Sequence, residues 1–259
     1  MAITFSTPST GAGTIIDSGG TTATTTVLSA PASMTTGDLD LIFSFIRDSA
    51  ADRTQTIGTD GGSFTDLQGG NAINGAAAIS GDGRVWYKSA AASPGSVTVT
   101  HSAAVVRLGL RLRCLGVNLS SPIDVQSGSL ASGNQAPSAN GDMVVPAITT
   151  TQAGCVAVAW MLYTTGFVLG GGEGSRLTCS GWTATGFNHN TNTSASSQIT
   201  AAVFVKDIAA AGTTGAATFS FSGASDGTNE GWLGGMFALA PDAGGGGGAG
   251  ARRRVVFFG

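Results

Sequence analysis

Thirty-three residues, Arg84 to Gly116 (RVWYKSAAASPGSVTVTHSAAVVRLGLRLRCLG), set the strongest constraint on this chain, because they alternate apolar with polar side chains in three segments parted by turn residues. That pattern is a β-meander. It returns near the end of the chain, where Val203-Phe204-Val205-Lys206 matches Val85-Trp86-Tyr87-Lys88 at an offset of 118 and is again followed by alanines, a glycine and the strand-like Ala217-Thr218-Phe219-Ser220-Phe221. Gly181-Trp182-Thr183 lies over Ser63-Phe64-Thr65 at the same offset, and Gly154-Cys155-Val156 over Gly37-Asp38-Leu39 at 117. Two diverged copies of one β-rich unit are expected.

The rest of the chain agrees with strands. Two Lys and two Glu leave few good helix formers other than Ala, while Thr and Val favour a pleated surface. The 41 glycines demand many tight turns. At 259 residues the chain can bury a full core. The fold class expected is all-β, a jelly-roll-like β-sandwich built from two pseudo-repeated halves, with two tandem sandwiches as the alternative. The boundaries are 1–116 for the first half, 117–141 for a connector with Ser-Pro and Pro-Ser turns, 142–241 for the second half, and 242–259 for a glycine tether and terminal peptide.

Within the first half, Asp38 to Arg47 (DLDLIFSFIR) becomes apolar at nearly every position, as a strand covered on both faces should. Residues 48–83 read as loop, with Asp60-Gly61, Gly69-Gly70, Asn74-Gly75 and Asp82-Gly83 around a short strand at Phe64 to Leu67. In the last meander strand Val106, Leu108, Leu110, Leu112 and Cys114 share one face and Arg107, Arg111 and Arg113 the other, so the core lies on one side and a cationic stripe faces outward. The stripe fits an anionic partner. The competing reading pairs the arginines with aspartates across neighbouring strands, and the expectation is no nucleic-acid partner.

Charge is unevenly placed. Residues 1–243 carry nine basic and fifteen acidic side chains, and the remainder three arginines and no acid. The closing peptide Arg252-Arg253-Arg254-Val255-Val256-Phe257-Phe258, behind Gly244 to Gly248, has high β-propensity and reads as a docking segment: the aliphatic and aromatic residues add as an edge strand, the arginines pair with acidic groups. Cys114, Cys155 and Cys179 lack metal or disulfide spacing and read as buried free thiols, and His101 and His189 have no metal-ligand spacing either. No carboxylate pair stands out, and no catalytic residue, metal or cofactor is expected. The opening MAITFSTPST shows neither a basic start nor an apolar core, so no secretory signal and no membrane association is expected. Among the tryptophans, Trp86 and Trp160 read as core. Trp182 is a repeated hydrophobic anchor, or else a face on which a host surface glycan stacks, together with the loops at 48–83 and 166–198.

Taken together, Gly37-Asp38-Leu39, Ser63-Phe64-Thr65, Trp86-Tyr87-Lys88, Ser96 to His101, Gly116-Val117 with Ser121-Pro122-Ile123-Asp124, Ala153-Gly154, Gly181-Trp182-Thr183 and Phe204-Val205-Lys206 resemble the motifs of β-sandwich structural proteins of tailed-bacteriophage virions, and of some bacterial surface proteins, over about residues 30–240. Phe64 departs from the Trp usual in that pattern, as does the arginine-aromatic end. The resemblance implies a non-enzymatic virion subunit, made in the host cytoplasm, whose partners are other virion structural proteins and further copies of itself.

Overall fold

Leu39–Asp48 is apolar on both faces, so it is stable only with a layer on either side. Those layers are present in the computed structural model, which describes residues 2–6, 15–17, 22–31, 34–48, 53–73, 80–133, 143–165, 177–190, 198–221, 231–242 and 257–258. No helix occurs among them. Numbered along the chain, the first half carries β1 (Thr4–Ser6), β2 (Ile15–Asp17), β3 (Ala23–Leu28), β4 (Leu39–Asp48), β5 (Gln55–Ile57), β6 (Thr65–Ile73), β7 (Ser80–Ser89) and β8 (Val97–Leu115). Strand β4 sits between β7 and β8 in the order β8-β4-β7-β6, all antiparallel. Strand β8 is 19 residues long and serves two layers: its start pairs with β3 and β5, and its end with β4.

The connector opens with β9 (Ile123–Gln126) and β10 (Ala131–Gly133). Then come β11 (Met143–Val145), β12 (Thr149–Thr150), β13 (Cys155–Thr165), β14 (Leu177–Cys179), β15 (Thr183–Asn190), β16 (Gln198–Ile208), β17 (Gly212–Thr213), β18 (Ala217–Phe221) and β19 (Gly231–Leu239), with β20 (Phe257–Phe258) at the end. The order β19-β13-β16-β15 matches β8-β4-β7-β6, and β11-β18-β14 matches β3, the start of β8, and β5. Registers coincide as well. Thr65 faces Tyr87 as Thr183 faces Val205, and in both pairs the register slips just after the next position. Gly37 and Gly154, which precede the two central strands, both take positive φ (102° and 77°), a conformation that favours glycine.

Alternation sorts each central strand onto two faces. Leu39, Leu41, Phe43 and Phe45 of β4 point to the side on which Val156, Val158, Trp160 and Leu162 of β13 lie, and all belong to one buried cluster with Leu108, Leu110, Val203 and Phe237. Ring contacts cross this interface: Phe43 to Phe237 at 6.4 Å, Phe45 to Trp160 at 5.8 Å, Phe45 to Phe187 at 5.9 Å. The opposite faces are covered too. Leu28, Ile42, Trp86, Val97 and Val99 form a small cluster beneath β3 and the start of β8, and Met143, Val145, Ala157, Met161, Phe204 and Phe219 a larger one beneath β11 and β18. The result is a four-layer stack, with the sheets built on β8-β4-β7-β6 and β19-β13-β16-β15 innermost. The largest cluster draws on both halves.

Three expectations need correction. Residues 65–73 form a nine-residue strand, and β7 begins at Ser80, so 68–73 and 80–83, which read as loop, are sheet. The glycines there make room: a Cβ on Gly83 would lie 2.8 Å from the Trp160 ring, and one on Gly81 2.9 Å from Leu162. Glycine in these strands permits the other sheet to approach, where the dipeptide cue reads a turn. The meander is also two strands, since 97–115 runs on without a break through Ser102-Ala103-Ala104. Finally, the connector is part of the second sheet. Strands β9 and β10 both pair with β19, the Ala240 N–H donates to the Pro122 carbonyl at 2.9 Å, and the Asp242 N–H to the Gly116 carbonyl at 2.8 Å.

Candidate functional site

The arginine face of β8 does not look outward. Strand β3 and the start of β8 lie over it, close enough that a Cβ on Gly109 would meet Leu28 and Thr26 at 3.0 Å. Arg111 is fully buried, Arg113 retains 17% side-chain exposure and Arg107 is half-buried. The outward cationic stripe is therefore corrected. The covering strand is distant in sequence, which is why alternation alone mistakes a buried face for a solvated one.

Every N–H of the Arg111 guanidinium is used. Nε donates to Asp40 Oδ1 at 2.9 Å and Nη2 to Asp40 Oδ2 at 2.7 Å, a two-toothed ion pair; Nη2 also donates to Asp60 Oδ2 at 2.9 Å, and Nη1 to the carbonyls of Leu28 (3.2 Å) and Gly95 (2.6 Å). Burial works to lower the Arg111 pKa, but the pairing with Asp40 and Asp60 outweighs it, so this guanidinium is held more firmly charged than a free one. For Asp40 burial wins: its carboxyl sits above the usual range despite Arg111. Asp60 falls below the usual range, because its bonds from the Gly95 N–H and Arg111 and the charge of Lys88 outweigh its burial. Lys88 completes the group, donating to the Asp60 carbonyl and lying 3.8 Å from Asp60 Oδ2. Arg113 pairs with Asp38 through Nε at 2.7 Å, and the Thr35 N–H caps the same carboxylate at 2.7 Å.

Three aspartates thus meet three cations, and the cluster is internally neutral. Alternation carries the signal for two of them, since Asp38 and Asp40 are the polar positions on either side of Leu39, on the face that Arg111 and Arg113 share. Nothing in the Asp60-Gly61 turn signal points to its role. The other half shows what the cluster replaces. Ile42 faces Arg111 in one half, and its counterpart Ala159 faces Met236 in the other; Ala157 stands for Asp40 and Ala238 for Arg113. The same layer is ionic in one copy and apolar in the other, as expected of a structural solution to filling space.

Trp182 is half-buried and packs on the outer cluster of the second half. The Lys206 ammonium lies over its ring at 5.6 Å, as Lys88 lies over the Phe64 ring at 4.6 Å. One ring face is thus occupied, and the pair of anchors recurs at the motif offset. Of the loop at 166–198, residues 166–176 and 191–197 lie outside the described residues. Gln68, not singled out by sequence, ties the inner layers together: it accepts from Trp160 Nε1 at 2.8 Å and donates to the Met236 carbonyl and Ser127 Oγ, both at 2.9 Å.

Cys114, Cys155 and Cys179 are free and buried, and burial holds the Cys114 thiol well above its usual pKa and Cys179 at about 12. Among the described residues no group of His, Cys, Asp and Glu is placed to hold a metal. His101 is buried, with Nε2 2.8 Å from Thr26 Oγ1, and burial together with the Arg107 charge lowers its pKa to about 4. Between pH 6.5 and 4 the unfolded chain therefore takes up a proton that the folded one refuses, and stability falls on acidification through this window. The expected loss is about 2 kcal/mol between pH 7 and pH 5. Urea midpoints at the two pH values check it: His101→Gln should flatten the difference, and an unchanged pH slope in that variant would remove His101 as its source.

Of the closing peptide, Arg252, Arg253, Arg254, Val255 and Val256 lie outside the described residues. Phe257 and Phe258 form β20, paired in parallel with β1 of the same chain: Phe257 with Phe5, and Phe258 with Ser6. The sequence reading expects a partner's edge here; the edge occupied is the chain's own. Compared with known proteins, the chain matches no family model, no curated protein and no solved structure.

Proposed function

We propose that the chain is a non-enzymatic structural component of a tailed-bacteriophage virion, a capsid decoration, fibre or tail accessory subunit, that works by assembly with other virion proteins and with its own copies. The motif resemblance carries this reading; the pairing of Phe257 and Phe258 with Thr4–Ser6 of their own chain adds only that the terminal segment can attach to a sheet edge through its main chain, without a pocket. The body supports it: side chains that could serve chemistry, such as Arg111, Asp40 and Lys88, are engaged with one another. The motif resemblance supplies the virion setting.

Removal of the residues after Ala243 is the test. A body whose layers all close before Asp242 is expected to stay folded and to lose incorporation into particles by at least tenfold, which corresponds to about 1.4 kcal/mol of attachment. Wild-type occupancy of the truncated chain would sink the docking role. The competing reading, an adhesin on a virion or cell surface that stacks a glycan on Trp182, draws no support from a ring already covered by Lys206.

A further inference from the structure

The chain's two ends meet on one edge. Strand β1 has β8 on one side, with Thr4 opposite Leu115 and Ser6 opposite Arg113, and, among the described residues, β20 alone on the other. Without β20 it is an edge strand with a free row of donors and acceptors, the kind that recruits another strand. The Phe5 side chain, fully buried in the central cluster, fixes β1 to the body, so the slot is rigid.

Strand β20 is the opposite case. Its register with β1 comprises two residue pairs, so little main-chain bonding must break to release it. Fourteen positions, 243–256, separate it from Asp242, and six of them are glycine. Fourteen residues reach at most about 48 Å. That reach spans from one body to the next when copies stand side by side.

We propose that β20 exchanges between copies: Phe257 and Phe258 of one copy pair with Thr4–Ser6 of the next, in the register seen within the single chain. This rests on the assembly reading above and names its partner as a second copy of this chain. Exchange uses the same bonds as self-pairing, so only local concentration decides between them. A tether of this kind gives the self-paired form an effective concentration of about 1 mM, which neighbouring copies on a crowded surface match. Donor and acceptor are different patches, so the contact is heterologous and builds rings or chains.

The test mixes full-length Ser6→Cys chains with full-length, differently tagged Phe258→Cys chains and adds a short thiol-reactive bis-maleimide; the native cysteines are buried and contribute little. Mixed dimers should rise steeply as total protein goes from about 10 µM to about 1 mM, and should fall when an excess of full-length chain without added cysteines competes for the edge. A single chain carrying both cysteines checks the register by closing on itself in dilute solution. If that chain closes while mixtures at about 1 mM give no mixed dimer, exchange is wrong. Such a result leaves docking onto another virion protein standing, whereas undiminished incorporation of the truncated chain removes docking itself.

Discussion

Arg111→Met is expected to destabilise the protein by about 3–5 kcal/mol, because it strips the partner from a fully buried Asp40 and leaves the Leu28 and Gly95 carbonyls without their donor. The carboxyl could escape only by taking a proton, and it already leans that way. The second half supplies the control, since Met236 and Ala157 occupy the corresponding positions there. Combining Arg111→Met with Asp40→Ala should recover most of the loss, leaving a deficit of about 1 kcal/mol from the orphaned carbonyls and the weakened hold on Asp60. Urea unfolding of the three variants measures this coupling. If the double variant is no better than the single one, the cluster is more than a filling for the layer, and its aspartates deserve a functional role after all.

Phe45→Ala should cost about 3–5 kcal/mol, since this fully buried ring meets Phe43 in its own sheet and Trp160 and Phe187 in the other. Its value lies in where the damage shows. The cavity opens between the two inner sheets, so both halves should lose stability together. A single transition should persist, shifted down by about 6–15 °C for a chain of this size. Tryptophan fluorescence and hydrogen exchange in the strands at 39–48 and 155–165 follow the halves separately. Were residues 155–165 to keep wild-type protection while 39–48 opened, the central cluster would not be shared and the two halves would be independent units.

Much of this layering was readable from residue patterns. The run at 39–47 required cover on both faces, and the alternation at 106–114 placed Leu108, Leu110 and Leu112 in the core, where they lie. The offset motifs located matching positions too: Lys88 and Lys206 each lie over the aromatic ring found at the shared spacing. What escaped depended on contacts between distant segments. A glycine that opens a turn and a glycine that makes way for Trp160 look alike until the facing sheet is known, so Asp82-Gly83 reads as a turn in what is a strand. Arg111 read as a surface cation for the same reason, since residues 23–28, which cover it, carry no mark of that placement. Phe257 and Phe258 were legible as strand formers, while their choice of edge was not.

The account thus separates a body held by mutual burial from a terminal strand held by two ladder positions. Function is assigned to the second. Electron cryomicroscopy of an assembled particle tests that assignment most directly, by tracing the backbone from Asp242 onward. The account predicts density running from Asp242 of one copy to a strand on the Thr4–Ser6 edge of its neighbour. Phe257 and Phe258 found on their own chain's Thr4–Ser6 in every assembled copy would contradict it.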